Sequence, residues 1–94
     1  MASLKSNSLS FTTQEVSGIA DFNSIADDGL TFKQFNSYSD SQNKPGDFAG
    51  FLIQFRFSST TAVQIAVNGW SSTTAVYVRH QWNTWSAWRT VNLT

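Results

Sequence analysis

Residues 51–57 read Phe-Leu-Ile-Gln-Phe-Arg-Phe, and this stretch decides the fold class. Large apolar side chains recur at every second position, which is the period of a β-strand with one apolar face. Residues 62–67 alternate in the same way, and residues 76–79 form a third alternating run. Asn68-Gly69, between the second and third runs, is a strong hairpin signal. The sequence therefore predicts an all-β domain, a small antiparallel meander or sandwich-like knob.

Further elements are predicted around these strands. Gly50 precedes the first strong strand and indicates a bend or a close approach of two backbones. Residues 85–93 are predicted to form a fourth strand, with Trp88 and Val91 on competing faces. β-Branched and aromatic residues dominate all of these runs, and polar or glycine residues bound them.

The first half of the chain is less regular. Residues 1–20 are polar with widely spaced apolar residues, which predicts a lead-in that is stem-proximal or partly disordered, ahead of a domain over 21–94. Residues 21–26 favour a short helix with Asp21 at its N-cap. Residues 30–35 are predicted to be a short strand, and the polar residues 36–47 to be a long surface loop.

The alternation also predicts which strand face lies inside. The stripe of Phe51, Ile53, Phe55 and Phe57 is expected to be the core face, and Arg56 is expected to be solvated or at a subunit contact. The opposite face carries uncharged side chains although it should meet solvent in a monomer. Its members are Leu52, Ala62, Ala66, Ala75 and Tyr77. Such a face is a candidate for subunit packing.

Length and composition limit the possible functions. The chain has 94 residues, a mass of 10.5 kDa, no cysteine, and six basic residues balanced by six acidic ones. A net charge of zero argues against a nucleic-acid partner. The lack of cysteine excludes disulfides and thiolate metal sites. No apolar run is long enough for a membrane helix, and the N-terminus does not read as a signal peptide. So small a domain is expected to gain stability by oligomerisation.

Four short motifs, in order, resemble a known family. They are residues 50–55 (GFLIQF), 63–66 (VQIA), 76–79 (VYVR) and 84–91 (TWSAWRTV). They are similar to the pyocin knob family of phage tail fibres, tailspikes and R-type pyocin fibres. That family reads as a Gly-aromatic-Leu strand, a Val-Gln-Ile-Ala strand, a Tyr strand ending in Val-Arg, and a closing Trp-Ser-x-Trp-Arg.

The resemblance covers residues 21–91 and has departures. Leu30-Thr31-Phe32 stands after Gly29 where the family has adjacent aromatics, and the connection over residues 68–74 is long. The resemblance implies a homotrimer in the virion, at the host-facing end of a fibre. The partners it implies are a bacterial surface glycan or other fibre and virion proteins. Gly50, Phe51, Trp85, Trp88 and Arg89 carry the motif and are expected to be structural.

The aromatic residues admit two interpretations. Indoles stack on sugar rings, but they also close small cores. For Trp85 and Trp88 we favour the core. Trp70 and Trp82 are predicted to lie at turns, and with Tyr38 and Asn83 they are the candidates for binding glycan.

Arg79 is a further glycan candidate, with open alternatives. It could pair with a carboxylate of its own domain, stack on a Trp, or bind an acidic sugar through its planar fork. Structural pairing is the favoured interpretation.

Catalysis is not expected. The sequence has no nucleophile elbow, phosphate loop or His-Glu-x-x-His motif. His80 is the only histidine, so a metal site is not expected, nor is a cofactor. Three hypotheses follow: a glycan-binding fibre knob, a structural virion protein such as a trimer clamp or spacer, and, least favoured, a depolymerase fragment.

Overall fold

The computed structural model describes residues 19–36, 41–69, 72 and 74–92. One antiparallel sheet dominates this part of the chain and confirms the all-β prediction. Its strands are β1 (Gly29–Asn36), β2 (Ala49–Ser58), β3 (Thr61–Asn68), β4 (Val76–Trp82), β5 (Thr84–Trp85) and β6 (Arg89–Thr90). A 3-10 helix, Phe22–Ser24, precedes them.

The first four strands form a meander in chain order. A turn at Ser59 and Thr60 joins β2 to β3, and a bulge near Phe57 shifts the register just before it. The Asn68-Gly69 signal marks the end of β3, but the connection to β4 is longer than a two-residue hairpin. The predicted fourth strand over residues 85–93 is instead two short strands, β5 and β6, that both pair with β4.

Gly50 lies where two backbones approach closely, as predicted. A Cβ atom built on Gly50 would lie 1.9 Å from the carbonyl oxygen of Val67 on the neighbouring strand. No side chain fits there, so this position requires glycine. The approach holds β2 tightly against the end of β3.

The predicted assignment of the two faces is wrong. Phe51, Phe55 and Phe57 are exposed, and their stripe lies on the outer face of the sheet. Leu52 and its register partner Ala66 are buried on the inner face, and so is Ala62, which pairs with Arg56. Tyr77 also packs against the core from this side.

The segment at residues 19–25 explains this reversal, because it covers the inner face. Ile19, Phe22 and Ile25 pack there against Phe35 and Leu52 and form the core. The aromatic rings of Phe22 and Phe35 meet edge to face, with centroids 5.2 Å apart. A backbone pairing of Phe22 with Gln42 fixes the segment at its start.

Arg56 is also not where the sequence predicted. It lies on the opposite side from the phenylalanine stripe, as expected, but only 5% of it is exposed. Its Nε atom donates to the carbonyl oxygen of Ile25 at 3.1 Å, and its Nη1 atom donates to the carbonyl oxygen of Ser58 at 2.9 Å. These bonds replace the solvent that the sequence analysis assigned to this side chain.

Candidate functional site

The outer face of the sheet exposes a group of large apolar side chains. We define the outer patch as Leu30, Phe55, Phe57, Val63 and Trp82. Leu30, Phe55 and Val63 lie side by side on β1, β2 and β3. The Phe55 and Phe57 rings stack with centroids 4.7 Å apart.

Strand alternation places Trp82 on this same face. Val78 pairs with Ile65, which pairs with Ile53 of the phenylalanine stripe, and Trp82 lies four residues beyond Val78. Trp82 is 73% exposed, and it is the most exposed large apolar residue among those described. The outer patch thus ends in an accessible indole.

Polar side chains fill the other half of the inner face. Gln54, Gln64 and Arg79 lie in register on β2, β3 and β4. The Nε atom of Arg79 donates to Oε1 of Gln64 at 2.8 Å, and Nε2 of Gln64 donates to Oε1 of Gln54 at 2.7 Å. The two glutamines also donate to main-chain carbonyl oxygens of the segment that covers the sheet, Gln54 to Ile25 and Gln64 to Phe22, each at 2.7 Å.

This chain of hydrogen bonds, which we call the glutamine relay, makes the polar inner face possible. Gln54 and Gln64 are fully buried, and a buried amide is stable only when it is hydrogen-bonded. The carbonyl groups of the covering segment supply part of those bonds. The relay therefore fastens the segment to the sheet.

Arg79 lies between two indoles. Its guanidinium carbon is 4.1 Å from the ring centroid of Trp85 and 4.7 Å from that of Trp88. Its Nη2 atom is buried and has no hydrogen-bond partner in the described part of the chain, so the two aromatic faces are its neighbours. Burial lowers the pKa of Arg79 to about 10, an effect that the charge of Asp21 partly opposes.

Asp21 organises the start of the covering segment. As the N-cap of the 3-10 helix, it accepts a hydrogen bond from the Asn23 backbone N–H at 2.9 Å. It also accepts one from the Asn43 side chain at 2.9 Å. These bonds, that from Asn43 first, hold the pKa of Asp21 below its ordinary value.

A cleft of about 320 Å³ opens beside this segment. Residues of the stretch 23–28 form one wall. The other wall comes from Arg56, Ser58, Ser59 and Gln81. The Nη1 atom of Arg56 donates to Oε1 of Gln81 at 3.0 Å, which fixes two of these side chains relative to each other.

The structure separates the glycan candidates. Trp82 and Asn83 are both exposed, next to each other, and Asn83 has a φ angle of 69°. Arg79 is buried, with only 5% of it exposed, so its guanidinium is not accessible to an acidic sugar. Tyr38 and Trp70 lie outside the described residues.

The motif residues have varied environments. Trp88 packs against the core, edge to face with Phe22 at 6.3 Å, and its Nε1 donates to the carbonyl oxygen of Asn43 at 2.9 Å. Trp88 thus contacts the core, whereas the contact given for Trp85 is the stacking on Arg79. Arg89 is exposed on β6, and Phe51 is exposed on the outer face.

The described residues offer no built metal site. They contain no group of three or more His, Cys, Asp or Glu side chains that could hold an ion, and His80 is exposed on β4. In the same part of the chain, no helix has the length and apolar character that crossing a membrane requires.

Sequence reasoning missed the glutamine relay and the cleft. Gln54 and Gln64 alternate with bulky apolar residues, which is also the pattern of a solvated strand face. The available signal was indirect: the residues beside Gln64 on the same face, Ala62 and Ala66, are small and uncharged.

Comparison with known proteins finds no relative: the chain matches no protein-family model, no curated protein and no solved structure.

Proposed function

We propose that this chain is a knob-type domain of a phage-type tail fibre, or of an equivalent contractile-particle fibre. In the particle it forms a homotrimer through the outer face of its sheet and takes part in host attachment by binding surface glycan. The resemblance of its strand motifs to the pyocin knob family supports the class and the trimer. The exposed apolar outer patch is the observation that supports self-assembly.

The outer face of the sheet exposes more large apolar side chains than an isolated domain needs. A one-layer antiparallel sheet ordinarily turns its polar face to water and its apolar face to the core. Here the inner face combines an apolar core with Gln54, Gln64 and two arginines, whereas the outer face exposes Leu30 and the phenylalanines. Burial of the outer patch against other copies of the chain would restore the ordinary arrangement.

The size of the outer patch suits a subunit contact. A fully exposed aromatic side chain has about 150–250 Å² of surface, so the patch presents roughly 500 Å². This is near the upper limit for the largest apolar patch on a monomeric protein, about 300–600 Å². Stable interfaces bury about 800 Å² on each partner. The patch alone therefore covers somewhat more than half of a standard interface, and polar residues around it would have to supply the remaining area.

One observation favours the second candidate, a structural clamp or spacer without its own ligand. Trp85 and Trp88, which could have formed a sugar platform, hold Arg79 between them. Their aromatic faces are therefore used inside the domain. Trp82 and Asn83 are the described candidates exposed in the single chain, but Trp82 belongs to the outer patch that assembly would bury, which leaves Asn83 accessible for glycan.

Light scattering after size exclusion tests the self-assembly. We expect a mass near three times 10.5 kDa for the wild-type chain. The Phe57→Ser variant should dissociate at a higher concentration than the wild type, because it removes an apolar side chain from the subunit contact. The monomer itself should lose little stability, since Phe57 is 64% exposed there. Ala87→Ser, a change at another exposed position, is the matched control and should keep the wild-type mass.

Two results would contradict the proposal. One is a wild-type mass of 10.5 kDa at every concentration, and the other is an unchanged mass for both Phe57→Ser and Val63→Thr. Adsorption of the fluorescently labelled trimer to host cells then separates the two candidates. Glycan binding predicts that Asn83→Gly, a change outside the outer patch that suits a φ angle of 69°, reduces adsorption at unchanged mass. The structural role predicts unchanged adsorption for Asn83→Gly and a lower mass for Trp82→Ala.

A further inference from the structure

We infer that the cleft beside the 3-10 helix is a binding site for an uncharged saccharide residue. This inference rests on the proposed function only in taking glycan as the source of the ligand. It places the sugar site away from the outer patch, on the side of the sheet that the covering segment occupies. The chemistry of the cleft walls carries the inference.

The size of the cleft fits a small ligand. Its volume of about 320 Å³ is at the lower end of the range for ligand pockets, about 300–1,000 Å³. Such a cleft holds roughly one or two sugar rings rather than a long chain. It lies between the covering segment and the end of β2, and both walls are fixed by hydrogen bonds.

One wall is preorganised by a buried charge. The guanidinium of Arg56 donates to the carbonyl oxygens of Ile25 and Ser58 and to the Gln81 side chain. These bonds hold Arg56 and Gln81 in place before any ligand arrives. A fixed polar wall lowers the entropy lost on binding.

The opposite wall contains an acceptor that lacks a donor. The side-chain oxygen of Asn23, Oδ1, is enclosed and has no hydrogen-bond partner in the described part of the chain. A buried acceptor without a donor is unfavourable. The oxygen is enclosed in the free chain, so a ligand hydroxyl would donate to it once the Asn23 side chain turned towards the cleft. The backbone N–H of Asn23 donates to Asp21, which fixes the main chain at this point and leaves the side chain free to rotate.

The charge of the cleft selects the class of ligand. Asp28 and Arg56 both line it, so one negative and one positive charge face the same space. An anion would gain from the arginine and lose to the carboxylate. Ser24, Ser58 and Ser59 contribute hydroxyl groups, which both donate and accept. Together these groups match the hydroxyls of a neutral sugar better than a phosphate or a carboxylate.

Amide NMR titration of the full chain tests the inference. The probes are glucose, galactose, mannose and N-acetylglucosamine, with inorganic phosphate and N-acetylneuraminic acid as the anionic comparison. We expect saturable shifts, with at least one neutral sugar, at the backbone amides of Ser24 and Ser59 and at the Gln81 side-chain amide. The anions should bind more weakly than the neutral sugar.

Two variants block the cleft in different ways. Ser59→Phe fills the cleft from an exposed turn and should abolish the shifts. Asn23→Leu removes the unpaired acceptor, so binding should weaken about tenfold, the equivalent of one hydrogen bond, while thermal stability does not fall. Asn36→Leu is the same change at an exposed position of β1 and should leave binding unchanged.

Several outcomes would overturn the site. They are the absence of saturable shifts with every neutral sugar, retention of binding in Ser59→Phe, and tighter binding of either anion. The mass of the assembly is measured on the same samples. If the chain is a trimer that binds no sugar, the cleft site is wrong and the assembly proposal stands. If it is a monomer that binds sugar, the assembly proposal is wrong and the cleft site stands.

Discussion

Gln64 donates a hydrogen bond of 2.7 Å to Gln54 directly across the β2–β3 pair, and both side chains are fully buried. Without this bond, the side-chain oxygen of Gln54 would lack its donor on the buried inner face. Because the same two side chains also bond the carbonyl oxygens of Phe22 and Ile25, they anchor the covering segment. The position of the covering segment, which forms one wall of the cleft, thus depends on these buried glutamine bonds.

We predict that Gln64→Ala destabilises the domain by about 2–4 kcal/mol. The change leaves the Phe22 carbonyl, the Gln54 oxygen and the Arg79 Nε without their partner. Urea unfolding followed by Trp fluorescence measures the effect. Gln42→Ala, a change at an exposed side chain, should stay within about 0.5 kcal/mol of the wild type. Equal effects of the two variants would contradict the role of the relay.

The second prediction concerns Arg79, because its planar guanidinium stacks on two indoles. Arg79→Lys keeps the charge but loses the flat stack and the Nε bond to Gln64. We expect a loss of about 1–3 kcal/mol in the free energy of unfolding. The same change at Arg89, which is exposed on β6, should have little effect. A stability of Arg79→Lys equal to that of Arg89→Lys would refute this.

Gly50 gives a third prediction. Gly50→Ala would place a Cβ atom 1.9 Å from the Val67 carbonyl oxygen, and a backbone atom cannot rotate away. We expect the variant to be strongly destabilised, by about 3 kcal/mol or more, as judged by its urea midpoint. At Gly46 the nearest atom is a ring carbon of Phe48 at 3.0 Å, and a side chain can move. Gly46→Ala is therefore the control and should remain folded.

Much of the strand content could be predicted from the sequence. The alternation over residues 51–57 and 62–67 fixes two strands whatever the tertiary structure, and Gly50 signals the close approach because no other residue fits. Asp21 as an N-cap is equally local. The strands and the N-cap depend on neighbours within a few residues, and the approach at Gly50 is signalled by the glycine itself.

The choice of face could not be predicted. It depends on which side of the sheet the residue 19–25 segment covers, and the phenylalanine stripe favours the wrong answer. The buried glutamines are stable inside because carbonyl groups about 30–40 residues away supply their bonds, a long-range condition that strand periodicity does not contain. The cleft is missed for the same reason, since its walls come from distant parts of the chain.

Asp21 makes the stability of the domain depend on pH in the acid range. Its carboxylate accepts bonds from Asn43 and Asn23, which hold its pKa below the ordinary value of 3.8. A carboxyl group whose pKa is lowered by folding contributes stability above its unfolded pKa, and this contribution is lost as the pH falls through the folded pKa. Asp21→Asn should therefore be less stable than the wild type at about pH 5, and the difference should shrink towards about pH 3.

Because asparagine is also a good N-cap, the variant Asp21→Asn tests the charge rather than the cap. Urea midpoints across this range measure the difference, and Asp27→Asn, at an exposed carboxylate, is the control. A difference between Asp21→Asn and the wild type that stays constant from about pH 5 to about pH 3 would show that the carboxylate charge does not stabilise the fold.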